Sequence, residues 1–127
     1  MTCSACDGET VTFAVPPSVR EAAPAEVVSL CTRCLAMEEG GEPDEEPAFT
    51  LVGEAFPSET EAAVPMALLV GLLDSLALHR AEITTLYEEV EGAGVDPLLV
   101  LDRLASDPGV RTDLDLAGRR RQLEQLL

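Results

Sequence analysis

Cys3, Cys6, Cys31 and Cys34 are all the thiols in this 127-residue chain, and they fall into two C-x-x-C pairs. Two residues between thiolates let both sulfurs reach one ion, while backbone N–H groups of the turn point at sulfur and offset its charge. The full spacing, C-x2-C-x24-C-x2-C, is that of a tetrathiolate site built from two knuckles. Four thiolates close a tetrahedral shell, so the ion they hold is structural and not a Lewis acid. One Zn2+ per chain is the expected occupant; iron takes the same four thiolates, and spacing alone does not separate the two. A redox dithiol needs only one C-x-x-C, but such a motif opens a helix in a larger α/β fold, and neither pair here does so.

The elements that must position these thiols are short. Gly8, two places after Cys6, reads as a position that takes positive φ at little cost. Glu9 to Val15 alternates weakly and is rich in β-branched residues, which predicts a strand ended by Pro16-Pro17. Ser18 to Glu21 has capping-box spacing for one helical turn, closed by Pro24. Val27 to Leu30 predicts a second strand, which delivers Cys31 back to the site. Residues 1–37 are therefore expected to form a zinc ribbon. A stretch of about 40 residues seldom buries enough surface to fold alone, so a metal staple is welcome there.

Residues 38–47, reading EEGGEPDEEP, have the composition of a self-repelling, extended linker. Residues 48–127 are expected to form a helical domain with a short N-terminal extended segment. Within it, the apolar run Ala48 to Val52 either adds a third strand to the ribbon or covers the helices. Ser58 and Glu61 stand in capping-box register, and Pro65 follows early. From Leu69 onward, Leu72/Leu73, Leu76, Ile83, Leu86/Tyr87 and Val90 keep the 3–4 spacing of one helical stripe. A single long helix to about Glu91 is the simplest reading, with a break near His79-Arg80 as the alternative. The most apolar stretch, Ala62 to Leu73, is shorter than the ~20 residues a bilayer span needs and reads as a buried helix.

Gly92 and Gly94 stop that segment, and Asp96-Pro97 sets an N-cap followed by Pro at the first helical position. The helix from Leu98 to Ser106 is expected to turn Leu98, Leu101 and Leu104/Ala105 inward. Asp115 is placed to cap a last helix through Leu127, with Leu116, Leu123 and Leu127 in one stripe. The fold class is α+β: a small β zinc ribbon followed by a C-terminal helical hairpin or three-helix segment.

Charge narrows the partners. The net charge is −16, from 24 acidic residues against eight basic ones, all of them Arg, with no Lys and no Asn. Acids spread along a chain that is still 46% hydrophobic suit a protein kept soluble in concentrated salt, where the Debye length shrinks to ~3 Å at 1 M. Arg119-Arg120-Arg121 is the only basic cluster, and consecutive residues spread over some 200° of a helix. They do not face one phosphate groove together, so direct nucleic-acid binding is not expected, and pairing with Asp102, Asp113 and Asp115 is the expected use. Cys3 follows Met1 with no basic region or apolar run before it, which leads to a cytoplasmic expectation and, in a reducing compartment, to metal-bound cysteines.

Other chemistry finds little support. His79 is the sole histidine, expected at the surface, and no Ser/His/Asp arrangement can be drawn. Asp74 sits among Val70, Leu73, Ala77 and Leu78, and a buried carboxylate needs a partner. Arg120, on the stripe of the last helix, is the proposed one.

The cysteine pairs, the acidic stretch, Gly53-Glu54-Ala55-Phe56-Pro57, Leu72-Leu73-Asp74-Ser75-Leu76-Ala77-Leu78, Gly94-Val95-Asp96-Pro97-Leu98 and Arg119-Arg120-Arg121-Gln122-Leu123 together resemble an uncharacterised family of haloarchaeal small proteins over almost the full chain. That family carries a domain of unknown function, so the resemblance implies a halophilic, cytoplasmic protein and adds no activity. The first knuckle is also similar to small archaeal zinc fingers with a C-P-x-C-G motif, with Ser4 in place of the Pro and Gly8 one position late. The resulting expectation is a non-enzymatic zinc-ribbon adaptor or regulator whose helical region binds a protein partner or a second copy. A nucleic-acid-associated regulator using the ribbon is the alternative.

Overall fold

A computed structural model describes residues 3–127. Met1 and Thr2, the first two positions of the expected ribbon, lie outside the described residues.

The alternating Val11 and Phe13 set the first strand, β1 (Thr10–Ala14), which pairs antiparallel with β2 (Val27–Cys31). The register opposes Thr10 to Cys31 and Ala14 to Val27, so the strand end that carries Cys31 lies beside the start of β1, just after the first knuckle. Between the strands, the expected helical turn is a 3-10 helix, Pro17–Ala22, burying Val19 and Ala22.

A third strand exists, but not where the apolar run suggested. It is β3 (Met37–Glu39), paired with β2 so that the order is β1-β2-β3. Glu38 and Glu39, read from sequence as the start of a linker, thus belong to the sheet edge. The acidic stretch then folds back across the sheet. Gly40 N–H donates to the Val27 carbonyl (2.8 Å), Asp44 N–H donates to the Thr12 carbonyl (3.0 Å), and the Asp44 carboxylate accepts the Thr12 N–H at 3.1 Å. A carboxylate on the open edge of β1 satisfies backbone groups that would otherwise template another strand. Under this stretch Thr12 and Ser29 are buried and share a 2.7 Å hydrogen bond, which accounts for the weak alternation of β1: both faces are covered. Charge repulsion among the acids is met by exposure, since 41–46 all face solvent while the backbone is tied down.

Ala48 to Val52 takes the covering role, as a 3-10 turn, Phe49–Leu51, with Phe49 and Val52 buried. The chain's three phenylalanines gather here: Phe49 lies 5.4 Å from Phe13 and 6.3 Å from Phe56, ring centroid to centroid. Sheet and helices consequently share one continuous apolar cluster, from Val11 and Leu30 to Leu101 and Leu123.

The centre of that cluster is α1 (Thr60–Leu72), in which every residue from Ala62 to Val70 is buried. It begins one residue later than the Ser58 capping box implied; Glu59 is the N-cap residue, and its carbonyl accepts from Ala62 and Ala63 N–H with no side-chain cap. Pro65 lies inside the helix, where the lost N–H costs a hydrogen bond that dense packing outweighs. The single helix to Glu91 is corrected to two, in line with the alternative of a break near His79-Arg80. α1 passes into a 3-10 turn, Leu73–Ser75, and α2 (Arg80–Gly92) starts after His79, with Ile83, Leu86, Tyr87 and Val90 buried against the core. A straight helix would carry the second half away from the core; the break folds α2 back onto α1.

α3 (Pro97–Ala105) starts at the expected cap: Asp96 Oδ1 accepts from Leu98 N–H (3.0 Å) and Leu99 N–H (3.4 Å), with Pro97 at the first position. Asp96→Ala should cost about 1 kcal/mol in urea unfolding, and an unchanged midpoint would show that the cap contributes nothing. Val100, Leu101 and Leu104 face inward, whereas Leu98 is only half-buried and Ala105 exposed. α4 (Leu116–Leu126) is capped by Asp115, whose Oδ1 accepts from Gly118 N–H at 3.0 Å. Leu116 and Leu123 are buried and Leu127 is exposed. The α+β reading holds: a small three-stranded antiparallel sheet, then four helices, among the described residues.

Candidate metal centre

The two C-x-x-C pairs fold into matching knuckles. Cys3 N–H donates to the Gly8 carbonyl (2.7 Å) and Cys31 N–H to the Ala36 carbonyl (2.9 Å); Asp7 N–H donates to the Cys3 carbonyl (3.0 Å) and Leu35 N–H to the Cys31 carbonyl (3.2 Å). Both turns close through a residue at positive φ just after the second cysteine, Asp7 (62°) and Leu35 (64°). Such a conformation is costly for Leu, and it persists where surroundings over-determine it. Here Leu35 is buried and its N–H is bonded. The expectation that Gly8 takes positive φ is corrected: Asp7 does. Gly8 supplies room instead, because a Cβ there would stand 3.0 Å from Cys31 Sγ and 3.2 Å from Cys6 Sγ.

The four sulfurs all lie within 4.8 Å of one another. Cys6 and Cys31 Sγ are 3.5 Å apart, and Cys3 and Cys34 Sγ 3.7 Å. Thiolates about 2.3 Å from a tetrahedral ion stand roughly 3.8 Å apart, so the quartet has the size of a metal shell. No pair is joined as a disulfide. Backbone donors support the sulfurs as the spacing predicts: Ala5 N–H reaches Cys3 Sγ (3.3 Å), and Arg33 and Cys34 N–H reach Cys31 Sγ (3.4 Å each). Without an ion, burial pushes the Cys34 thiol from 9.0 up to about 12, the three neighbouring thiols adding to the rise and the Ala36 backbone opposing it. The ion-free fold therefore prefers the protonated thiol and loses that preference's stabilising effect as pH rises from 9 toward 12. Metal binding instead requires thiolates and releases their protons, so it weakens on acidification.

Three contacts that sequence reasoning missed hold the knuckles. The Glu38 carboxylate, on β3, accepts from Ser4 N–H (3.3 Å) and twice from Ser4 Oγ (3.1 and 2.9 Å), clamping the first knuckle. Thr32 N–H and Oγ1 both donate to the Glu9 carbonyl, at 2.9 and 2.8 Å, joining the second knuckle to the chain beside the first. Arg111 N–H donates to the Arg33 carbonyl at 2.6 Å, anchoring the second knuckle to the loop between α3 and α4. Met37 fills a notch at Gly71 of α1, where an added Cβ would stand 2.6–2.9 Å from Met37 atoms. Glu38 had no signal to separate it from its acidic neighbours. We expect Glu38→Gln to lower metal affinity by about tenfold, read by competition with a chromophoric chelator, since residues that orient a ligating loop typically matter on that scale; unchanged affinity would remove Glu38 from the site.

The other singled-out residues lie apart from the centre. Asp74 is exposed and does not meet Arg120; it is Arg119 that reaches it, donating to the Asp74 carbonyl at 3.3 Å. Exposure lets water solvate the carboxylate, so no buried partner is required. Arg120 pairs with Asp102, its Nε 3.0 Å from Oδ1, and with Glu124. His79 is half-buried, its Nδ1 4.0 Å from Glu82. Among the described residues, no other group of His, Cys, Asp and Glu converges as a metal shell, and no helix is long and apolar enough to cross a membrane.

Among known families, the model described as "Family of unknown function (DUF6276)" matches residues 2–127. The chain belongs to that family. No curated protein and no solved structure matches it.

Proposed function

We propose that this member of an unassigned family is a non-enzymatic zinc-ribbon protein of the cytoplasm, acting as an adaptor or regulator. One structural Zn2+ held by Cys3, Cys6, Cys31 and Cys34 fastens the sheet to the helices, and the helical region receives a protein partner or a second copy of the chain. The observation that carries the reading is the convergence of four thiols, and nothing but thiols, within 4.8 Å. A shell of four thiolates leaves a tetrahedral ion no open position for substrate. The charge of −16 on a chain without Lys supports function in concentrated salt.

Native mass spectrometry with elemental analysis of protein purified in high salt tests this. One zinc per chain is expected, with a dimer or a co-purifying protein. Iron in place of zinc, or a chain with no metal, would overturn the zinc reading. A monomer that crosslinks to no partner in cell extract would overturn the adaptor role.

A further inference from the structure

One end of the helical layer differs in charge from the rest of the molecule. It is formed by residues 73–84, which make the turn after α1 and the start of α2, and by α4 with Leu127. Arg119 of α4 joins the two segments, donating to the Asp74 carbonyl at 3.3 Å. Together they carry Arg80, Arg119, Arg120 and Arg121 against Asp74, Glu82 and Glu124, a net +1 that leaves −17 on the remainder of the chain. The same end is apolar. Leu78 is 81% exposed, more than any other large hydrophobic side chain among the described residues, and Leu127 is 55% exposed. Leu126, half-buried, lines a groove of about 430 Å3 with Arg80, Ala81 and Thr84. The other exposed leucines stand among carboxylates: Leu51 lies between the acidic stretch and Glu54, and Leu99 between Asp96 and Asp102.

Apolar surface gathered in one place marks a contact, and charge decides with what. Two copies of a chain at −16 repel over most of their surfaces, and like charges set against each other suppress association. At this end a second copy meets no excess of acid. A two-fold contact is also self-complementary, because it presents the leucines and arginines of each copy to the leucines and carboxylates of the other. Resting on the reading of the helical region as the docking part, we propose that the chain forms a two-fold dimer through the groove between α2 and α4, with Leu78, Leu126 and Leu127 at its centre and Arg80 at its rim. Salt screens the repulsion between the two net charges, so the dimer tightens as salt is raised. An acidic protein held by the arginines would instead be released by salt.

Sedimentation equilibrium of the full chain with its metal, in low and in molar potassium chloride, tests this, with far-ultraviolet circular dichroism confirming the fold at each salt. Expected is a dimer that tightens toward molar salt. Leu78→Asp and Leu127→Asp, both at exposed positions, should each raise the dimer Kd by at least about 30-fold, while Leu99→Asp leaves it unchanged. A dimer that neither variant weakens, one that Leu99→Asp breaks, or one that loosens as salt rises would overturn this contact and leave the adaptor reading standing. A wild-type monomer in molar salt overturns the second copy as occupant. If that monomer also crosslinks to no protein in cell extract, the adaptor reading falls with it; if it does crosslink, only the dimer is lost.

Discussion

Cys31→Ser is expected to lower the melting temperature by at least roughly 10 °C, in one cooperative transition. Structural zinc contributes apparent binding free energies of about 10–16 kcal/mol in small finger peptides. If three remaining thiolates keep most of that, the loss is still on the order of 4 kcal/mol, and each kcal/mol moves a domain of this size by about 3 °C. Cys31 is the stringent position because it ends β2, is buried, and accepts two backbone N–H groups at its sulfur. A single transition follows from the packing: Phe13, Val28 and Leu30 of the sheet lie in the same apolar cluster as Met66, Leu69 and Ile83 of the helices. The Arg111–Arg33 backbone bond ties the second knuckle to the α3–α4 loop, and the Met37–Gly71 contact ties β3 to α1. Thermal melts followed by far-ultraviolet circular dichroism, with and without chelator, provide the measurement. Chelated wild-type protein should reproduce the variant, and restored metal should reverse it. Two separate transitions, with the helices melting unchanged, would mean that the centre staples the sheet alone.

Leu69→Ala should cost 2–5 kcal/mol in urea unfolding, with no change in metal stoichiometry. Leu69 is fully buried in the middle of α1, the helix enclosed on all sides. Its truncation removes apolar contact and leaves a cavity that neighbours held by the sheet and by α2 fill only in part. Leu78 is the internal comparison. It is 81% exposed in the turn between α1 and α2, and Leu78→Ser should stay within ~0.5 kcal/mol of wild type. Equal losses for the two would contradict the placement of α1 at the centre of the core.

Local chemistry was legible at several places where neighbours along the sequence supply both partners, though not at the Ser18 and Ser58 capping boxes or at Gly8. The knuckles, the Asp96-Pro97 start and the Asp115 cap each close within a few residues, so their spacing alone specifies them. The stripe Ile83, Leu86/Tyr87 and Val90 is legible for the same reason, since one helix face decides it. Where the partner is remote, sequence reading failed. Glu38 is indistinguishable from Glu39 until β3 brings it to Ser4, 34 positions away. Arg120 was assigned to Asp74, while Asp102 was named only among the acids expected to pair with the arginine cluster; the chain turn that places α3 beside α4 decides for Asp102. The break near His79-Arg80 was offered only as the alternative to one long helix, and burial decides for it: an unbroken stripe suits one helix until a core on one side makes the hairpin bury more apolar surface.

From the sequence alone come the tetrathiolate quartet, the α+β class and the order of sheet before helices, because these rest on residue type, spacing and periodicity. Tertiary structure alone decided that the acidic stretch is an edge strand and sheet cover, that α1 is enclosed, and that only Cys6 and Cys34 open to a groove. Burial and long-range pairing are properties of the packed chain: the same thiol is closed or open according to what folds against it.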